Sequence, residues 1–294
     1  MTKIIIGIHG LANKPEESQL QHWWKEAIAE GLKKNYSSEI DFEFKMIYWA
    51  DLFYRHPLHD DKDYEFDSLY NSEPYIEAKD GALQPYETGW FQRIRTEMTD
   101  PSGRILDLIK DNFNIESAAD YLLSKFFKDL HFYYSGKKLK DREGNKIPAK
   151  EILHKQISKV LGENQDKEIM FVSHSMGSLI AFDSLHGLPQ NIKISEFVTI
   201  GSPLGISHVK LKASDSGIPL KKPSCITGKW INYADKKDPI AIDSHLSDDY
   251  EGGVEDDMVL NDYESNGKRN YHKSYGYLRT PEFSKHAKRF LENE

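Results

Sequence analysis

Ser175 stands in the pentapeptide Ser173-His174-Ser175-Met176-Gly177, between the apolar run Glu168-Ile169-Met170-Phe171-Val172 and the helically spaced Leu179, Ile180, Ala181 and Leu185. A serine on a sharp strand-to-helix bend can hold its hydroxyl above a sheet. The residues two before and two after it must then be small enough for the chain to fold back. Ser173 and Gly177 meet that demand, Ser173 with one hydroxymethyl group more than the usual glycine. The chemistry open to such a serine is acyl transfer. It requires a base for the hydroxyl proton, a third group to orient the base, and N–H donors aimed at the developing oxyanion. An ordinary serine at a strand-to-helix cap is the alternative that the pentapeptide alone leaves open.

The elements that must position this serine are legible from hydrophobic periodicity. Ile4, Ile5, Ile6 and Ile8 form a β-branched run suited to a strand buried on both faces of a parallel sheet. After Gly10, residues Asn13, Pro15, Glu16 and Glu17 look like a helix start, and Leu20, Trp23, Trp24, Ala27, Ile28 and Leu32 recur at helical spacing. A second strand is expected within Ile40 to Tyr48, which completes a βαβ unit and makes the fold class α/β. Further strands are expected over Glu168–Val172, Ile194–Ile200 and Lys229–Ala234, with a possible one at Met258-Val259-Leu260. Helices are expected at Arg104 to Ile109, across Ala118 to Tyr134, through Ile152 to Leu161 and at the end, around Phe283, Ala287 and Phe290. Lys137 to Pro148 reads as a charged turn region. From Asp51 to about Lys146 the strand pattern is interrupted, so 51–146 reads as an insertion within one domain spanning 1–294.

Composition narrows the function. With 39 Lys and Arg against 47 Asp and Glu the net charge is −8, and 38% of the residues are apolar, as in a folded soluble protein. A pI of about 5.9 argues against nucleic acid, or an anionic membrane surface, as a partner held by net charge. Cys225 is the only cysteine, so no intrachain disulfide forms, and the short apolar start is unlike a signal peptide. A cytoplasmic location is the resulting expectation. No run approaches the roughly 20 apolar residues of a membrane-spanning helix. No metal-ligand spacing and no Gly-rich phosphate loop occurs, so no cofactor is expected.

Four segments together resemble the α/β-hydrolase superfamily, specifically its lipase-like serine esterases. They are Ile8-His9-Gly10-Leu11, Val172 to Ser178, Thr199-Ile200-Gly201-Ser202-Pro203-Leu204, and Asn232 through Asp235 to Asp238-Pro239-Ile240-Ala241. The resemblance implies an α/β-hydrolase fold: a mostly parallel central sheet with helices on both faces and a cap-like insertion. It makes Ser175 the nucleophile and the backbone N–H groups of Leu11 and Met176 the oxyanion hole, with His9 an organiser rather than the base. The family order of serine, acid and histidine leaves Asp235, Asp238 and Asp243 as acids and His208, His245, His272 and His286 as bases. Asp238 resembles the family's Asp-Pro placement after a strand, with Asp235 the serious rival because it lies nearer the strand end. His272 sits in Asn270-Tyr271-His272-Lys273-Ser274-Tyr275, which resembles the family's histidine loop. His208 precedes both acids, His245 shares the loop of Asp238, and His286 falls on the last helix; His174 is expected to pack behind the bend.

The expectation is therefore a serine hydrolase that cleaves a small-molecule or lipid-like carboxylic ester through Ser175, His272 and Asp238. Trp90 and Phe91 of the insertion could cap the site and supply an acyl pocket, while the 118–134 helix is expected to pack on the sheet. A thioesterase or acyltransferase would use the same residues, and a non-catalytic binding protein could share the fold.

Overall fold

The computed structural model describes residues 2–58, 74–81, 83–86, 130–265 and 267–292. Six strands make its central sheet: β1 (Lys3–Ile8), β2 (Glu43–Ile47), β5 (Glu168–His174), β6 (Glu196–Ile200), β7 (Trp230–Ala234) and β8 (Val254–Met258). They are parallel throughout, in the spatial order β2-β1-β5-β6-β7-β8. A small antiparallel hairpin, β3 (Lys138–Lys140) and β4 (Lys146–Pro148), lies between β2 and β5 in the chain, and β9 (Glu264–Ser265) pairs with β10 (Lys268–Arg269) near the end.

Alternation along β1 separates two cores. Ile4, Ile6 and Ile8 face one side with Phe171, Phe197 and Trp230, beneath helices α2 (Ala149–Gly162) and α3 (Met176–His186). Ile5 faces the other with Met170, Val172 and Val198, beneath α1 (Glu17–Tyr36), the short α5 (Ser274–Leu278) and α6 (Pro281–Glu292). The buried face of α1 includes Leu20, Trp24, Ala27, Ile28 and Leu32, as its spacing predicts. Both sides of the central strands are covered, which is why they are continuous apolar runs.

Three expectations change. The 137–148 region is not a plain turn: Asp141 accepts the N–H groups of Glu143 and Asn145 at 3.0 and 2.7 Å, and this loop closes the β3–β4 hairpin. The last sheet strand lies at 254–258 rather than 258–260. It is an edge strand with Glu255 and Asp257 exposed, so acidic residues hide it from a hydrophobicity reading. Helix α4 (Ser207–Asp215) occupies a stretch to which no element was assigned. The helix expected at 104–109 and most of that at 118–134 lie outside the described residues; 130–134 is helical, with Leu130 and Tyr133 in the core.

Strand order reverses between β1 and β5, since β1 leads outward to β2 while β5 leads the other way to β6, β7 and β8. In an open parallel sheet such a switch point leaves a crevice at the carboxyl ends of the strands. Another part of the domain is tied by a buried cation. Arg279, 1% exposed, donates to Glu30 at 3.1 Å, to Asp262 at 2.8 Å and to the carbonyl of Ile76 at 2.6 Å. It thereby joins α1, the 74–81 segment and the loop after β8. Arg279→Leu removes the cation from the buried Asp262 while Glu30 keeps Lys34 at 3.0 Å, and a loss of about 3–5 kcal/mol is expected from equilibrium denaturation.

Candidate active site

Ser175 terminates β5 with φ 54° and ψ −132°, a backbone conformation that side chains rarely adopt and that costs about 1–3 kcal/mol. The bend is braced on both sides. Ser175 N–H donates to Ile200 O on β6 at 3.2 Å, and Ser178 Oγ donates to Ser175 O at 2.6 Å while meeting Ser202 Oγ at 2.7 Å. A Cβ on Gly177 would stand 2.5 Å from His9 O, so the helix start can rest against the end of β1 only because that position is glycine. The extra hydroxymethyl group of Ser173 is accommodated: its Oγ is buried and donates to Val198 O at 3.0 Å.

Met176 is the first residue of α3, so its N–H has no partner within the helix. The chain after β1 passes so near the bend that a Cβ on Gly10 would lie 2.6 Å from Ser175 Cβ. Leu11 and Met176 thus stand just beyond the ends of β1 and β5, on either side of the switch point. His9 holds this passage in shape. Its Nδ1–H donates to Gly10 O at 2.8 Å, its Nε2 accepts Trp49 N–H at 3.0 Å, and its ring stacks on Trp49 with centroids 4.9 Å apart. Burial holds its pKa well below the ordinary histidine value, so it is neutral and cannot act as a proton carrier there.

His272 follows the β9–β10 hairpin and brings Nε2 to 2.9 Å from Ser175 Oγ. Its Nδ1 lies 2.8 Å from both carboxylate oxygens of Asp238. Asp238 is 2% exposed and fully engaged: Oδ1 also accepts Ile240 N–H at 2.8 Å and Oδ2 accepts Tyr277 O–H at 2.7 Å. With Asp238 holding the Nδ1 proton, Nε2 presents its lone pair to the serine hydroxyl. Gly201, at φ 53°, makes room for this pair, since a Cβ there would lie 2.7 Å from Asp238 Oδ2.

The structure separates the two rival aspartates. Asp235 is turned away from His272; its Oδ1 accepts Lys237 N–H and its Oδ2 accepts Asn261 N–H, both at 2.7 Å. Asp243 accepts the N–H of its neighbour His245 at 3.4 Å, while the side chains of His208 and His245 are exposed. His286 is buried against Glu196 and lies 3.3 Å from Tyr233 Oη, at the other end of the strands.

Sequence reasoning missed what holds the histidine loop. Asn261 Nδ2 donates to Tyr271 O at 3.0 Å and to Lys273 O at 2.9 Å. The carbonyl between them, that of His272 itself, accepts His174 Nε2–H at 2.7 Å. Three consecutive carbonyls are therefore held by two side chains. His174 does more than pack behind the bend, because its ring also lies against that of His272, with centroids 4.7 Å apart. Tyr277 was missed as well, and it bridges both aspartates by accepting Asp235 N–H at 2.9 Å while donating to Asp238. A lone Asn in a loop, or a Tyr in a helix of five residues, carries no periodic signal that could have found them.

Two clefts meet at Leu11. One lies over Ser175 and His272 and is lined also by Lys14, Trp24, Lys273 and Tyr275. The other adjoins Met176 and is lined by Trp49, Phe53, Tyr133, Leu153 and Ile180, with no charged residue among the described ones. Trp90 and Phe91 lie outside the described residues, so the aromatic wall observed beside Met176 comes from other positions. Among the described residues no group of His, Cys, Asp or Glu is arranged to hold a metal ion, and no helix is long and apolar enough to cross a membrane.

Asp238→Asn is expected to lower turnover by up to ~10⁴-fold, the scale known for neutralising a triad acid, with the fold retained. Asp235→Asn should lower turnover much less, although in either variant the amide replaces one of two accepting oxygens with a donor and costs about 1–3 kcal/mol of stability. A comparison of kcat and denaturation midpoints for the two variants checks the ranking. Burial also raises the Asp235 carboxyl from 3.8 to about 6. The folded state then binds that proton more tightly than the unfolded chain, so its contribution to stability is full below the unfolded value and is lost as pH rises through about 6. Thermal melts across this window should show the decline in the wild type and not in Asp235→Asn.

The family model for lecithin:cholesterol acyltransferase matches residues 150–227. The matched stretch carries the bend at Ser175 and the Gly201-Ser202-Pro203 turn, and it ends before Asp238 and His272. No curated protein sequence matches the chain. The match and a six-stranded parallel sheet with helices on both faces together support an α/β-hydrolase fold for the chain.

Proposed function

We propose that the protein is a serine hydrolase of carboxylic esters, with an apolar acyl group as the part of the substrate that enters the uncharged cleft beside Met176. The observation that carries this reading is the continuous line from Ser175 Oγ through His272 Nε2 and Nδ1 to Asp238, with links of 2.9 and 2.8 Å. In the proposed reaction the serine oxygen attacks the acyl carbon as its proton passes to His272 Nε2. The carbonyl electron pair moves onto the oxygen, which the N–H groups of Leu11 and Met176 receive. The pair returns, the ester C–O bond breaks, and the alcohol leaves with the proton from His272. Water then adds to the acyl-enzyme as His272 takes its proton, and the carboxylic acid departs when the proton returns to Ser175 Oγ.

An acyltransferase is the second reading, favoured by the matched family model, whose name is that of an acyltransferase. It differs only in that a hydroxyl acceptor replaces water in the second half.

Labelling with a fluorophosphonate probe and turnover of p-nitrophenyl octanoate test the proposal. The wild type should label at Ser175 and release nitrophenol, and Ser175→Ala should do neither while keeping its circular dichroism. Labelling of the Ser175→Ala chain to the wild-type extent would transfer the reaction to another nucleophile. Adding a long-chain alcohol and measuring ester against free acid separates transfer from hydrolysis.

A further inference from the structure

Asp238 stands on the loop after β7, so whatever steadies its carboxylate there decides how His272 is met. Its two oxygens have different supports. Oδ1 accepts the N–H groups of Ile240 at 2.8 Å and Ala241 at 3.3 Å, both from its own loop. Oδ2 accepts the hydroxyl of Tyr277 at 2.7 Å, from α5. His272 Nδ1 lies 2.8 Å from each, so the carboxylate that faces the imidazole is held by backbone donors at one oxygen and by a phenol at the other.

The direction of the Tyr277 hydrogen bond is forced. Asp235 N–H can only donate, and it lies 2.9 Å from Tyr277 Oη, so the phenolic oxygen accepts there and its one proton is left for Asp238. Burial, and then the charges of Asp238 and Asp235, push the Tyr277 pKa well above its ordinary value. The proton therefore stays on the tyrosine. The ring is fully buried, and a Cβ on Gly201 would stand 3.1 Å from its Cε2 and 2.7 Å from Asp238 Oδ2, so the end of β6 closes in on both. His272 and Tyr277 share the short stretch 272–277. The segment that carries the base thus also carries a grip on the acid.

We propose that Tyr277 is a positioning residue for acyl transfer at Ser175: its hydroxyl, aimed by Asp235 N–H, holds Asp238 Oδ2 where the carboxylate orients His272 and stabilises the imidazolium that forms when the serine proton is taken. This rests on the hydrolase reading above. The hydrogen bonds of Tyr277 go to Asp235 and Asp238 and not to Ser175 or His272, so it acts through the acid. In the reaction the serine proton passes to His272 Nε2, the Nδ1 proton stays between His272 and Asp238, and the Tyr277 proton does not move. Without that donor the carboxylate is free to tip away from Nδ1, and the loss falls on the charged transition state rather than on substrate binding. A tyrosine needed only to fill space would work as well as phenylalanine.

Tyr277→Phe removes the hydroxyl and keeps the ring. Its kcat with p-nitrophenyl octanoate should fall about tenfold, the rate equivalent of one hydrogen bond to a charged group, with KM unchanged within about twofold. In a double-mutant cycle with Asp238→Ala, read as the rate of fluorophosphonate labelling, the same change should cost about tenfold beside Asp238 and less than about twofold in its absence. The Nδ1–H proton of His272, assigned in ¹⁵N-histidine spectra as the resonance missing from Asp238→Ala, should move in Tyr277→Phe. An unchanged kcat, a rise in KM in place of the fall in kcat, equal losses in both backgrounds, or an unmoved resonance each overturns the proposal. The resonance needs no turnover, so it tests the grip on Asp238 separately, whereas a wild type that does not label sinks the hydrolase reading. Should Tyr277→Phe lose the wild-type circular dichroism, 3-fluorotyrosine in place of Tyr277 keeps the ring and makes the hydroxyl a stronger donor. A moved Nδ1–H resonance then supports the proposal and an unmoved one overturns it.

Discussion

The left-handed backbone of Ser175 is the constraint around which the rest is arranged. At φ 54° a serine is strained, and nothing local to the pentapeptide relieves it. The strain is held by neighbours in the sheet: the Ile200 carbonyl on β6 takes the Ser175 N–H, and Gly177 allows α3 to start directly against His9 O at the end of β1. Both supports exist only because β5 lies between β1 and β6. The same placement puts Met176 and Leu11 at the switch point of the sheet, where a parallel fold opens its crevice.

The partners of the serine arrive on loops, and loops position side chains only when their own polar groups are satisfied. Asp238 directs its oxygens to His272, Tyr277 and the backbone N–H groups of Ile240 and Ala241. Asp235, three residues earlier, accepts backbone N–H groups that include Asn261, and Asn261 in turn grips the carbonyls on both sides of His272. The two aspartates thus serve one end, the first by shaping the loop that presents the histidine and the second by meeting the histidine itself. Tyr277 couples them through one hydroxyl that accepts from Asp235 N–H and donates to Asp238. Its burial raises its pKa well above the ordinary tyrosine value, so that hydroxyl keeps its proton for Asp238.

The two clefts differ in their linings. Histidines 9 and 174 are buried and neutral, and they act through hydrogen bonds that fix backbone near the serine. Lys14 and Lys273 are among the residues that line one cleft, and the aromatic surface of the other is built partly from Phe53 and Tyr133, which fall near the two ends of the interrupted 51–146 region. Phe53 meets both Trp49 and Phe132 edge to face at 5.5 Å, so the two ends of that region come together beside the sheet.

The sequence by itself determined most strands of the central sheet, the helices with a clean 3.6-residue stripe and the serine bend, because each is written in local periodicity or in the size of near neighbours. β1, α1, β5 and α3 needed no more than that. It could also narrow the acid to Asp235 and Asp238 and order the histidines. Only the tertiary structure shows which of the two aspartates meets His272, since both are buried, both follow β7, and the contact spans 34 positions of chain. The same holds for Asn261, Tyr277 and His174, whose partners lie 10 to 98 residues away. The β3–β4 hairpin and the acidic edge strand β8 escaped for a related reason: one is stabilised by a side-chain turn and the other by pairing with β7, and neither leaves a hydrophobic pattern along the chain.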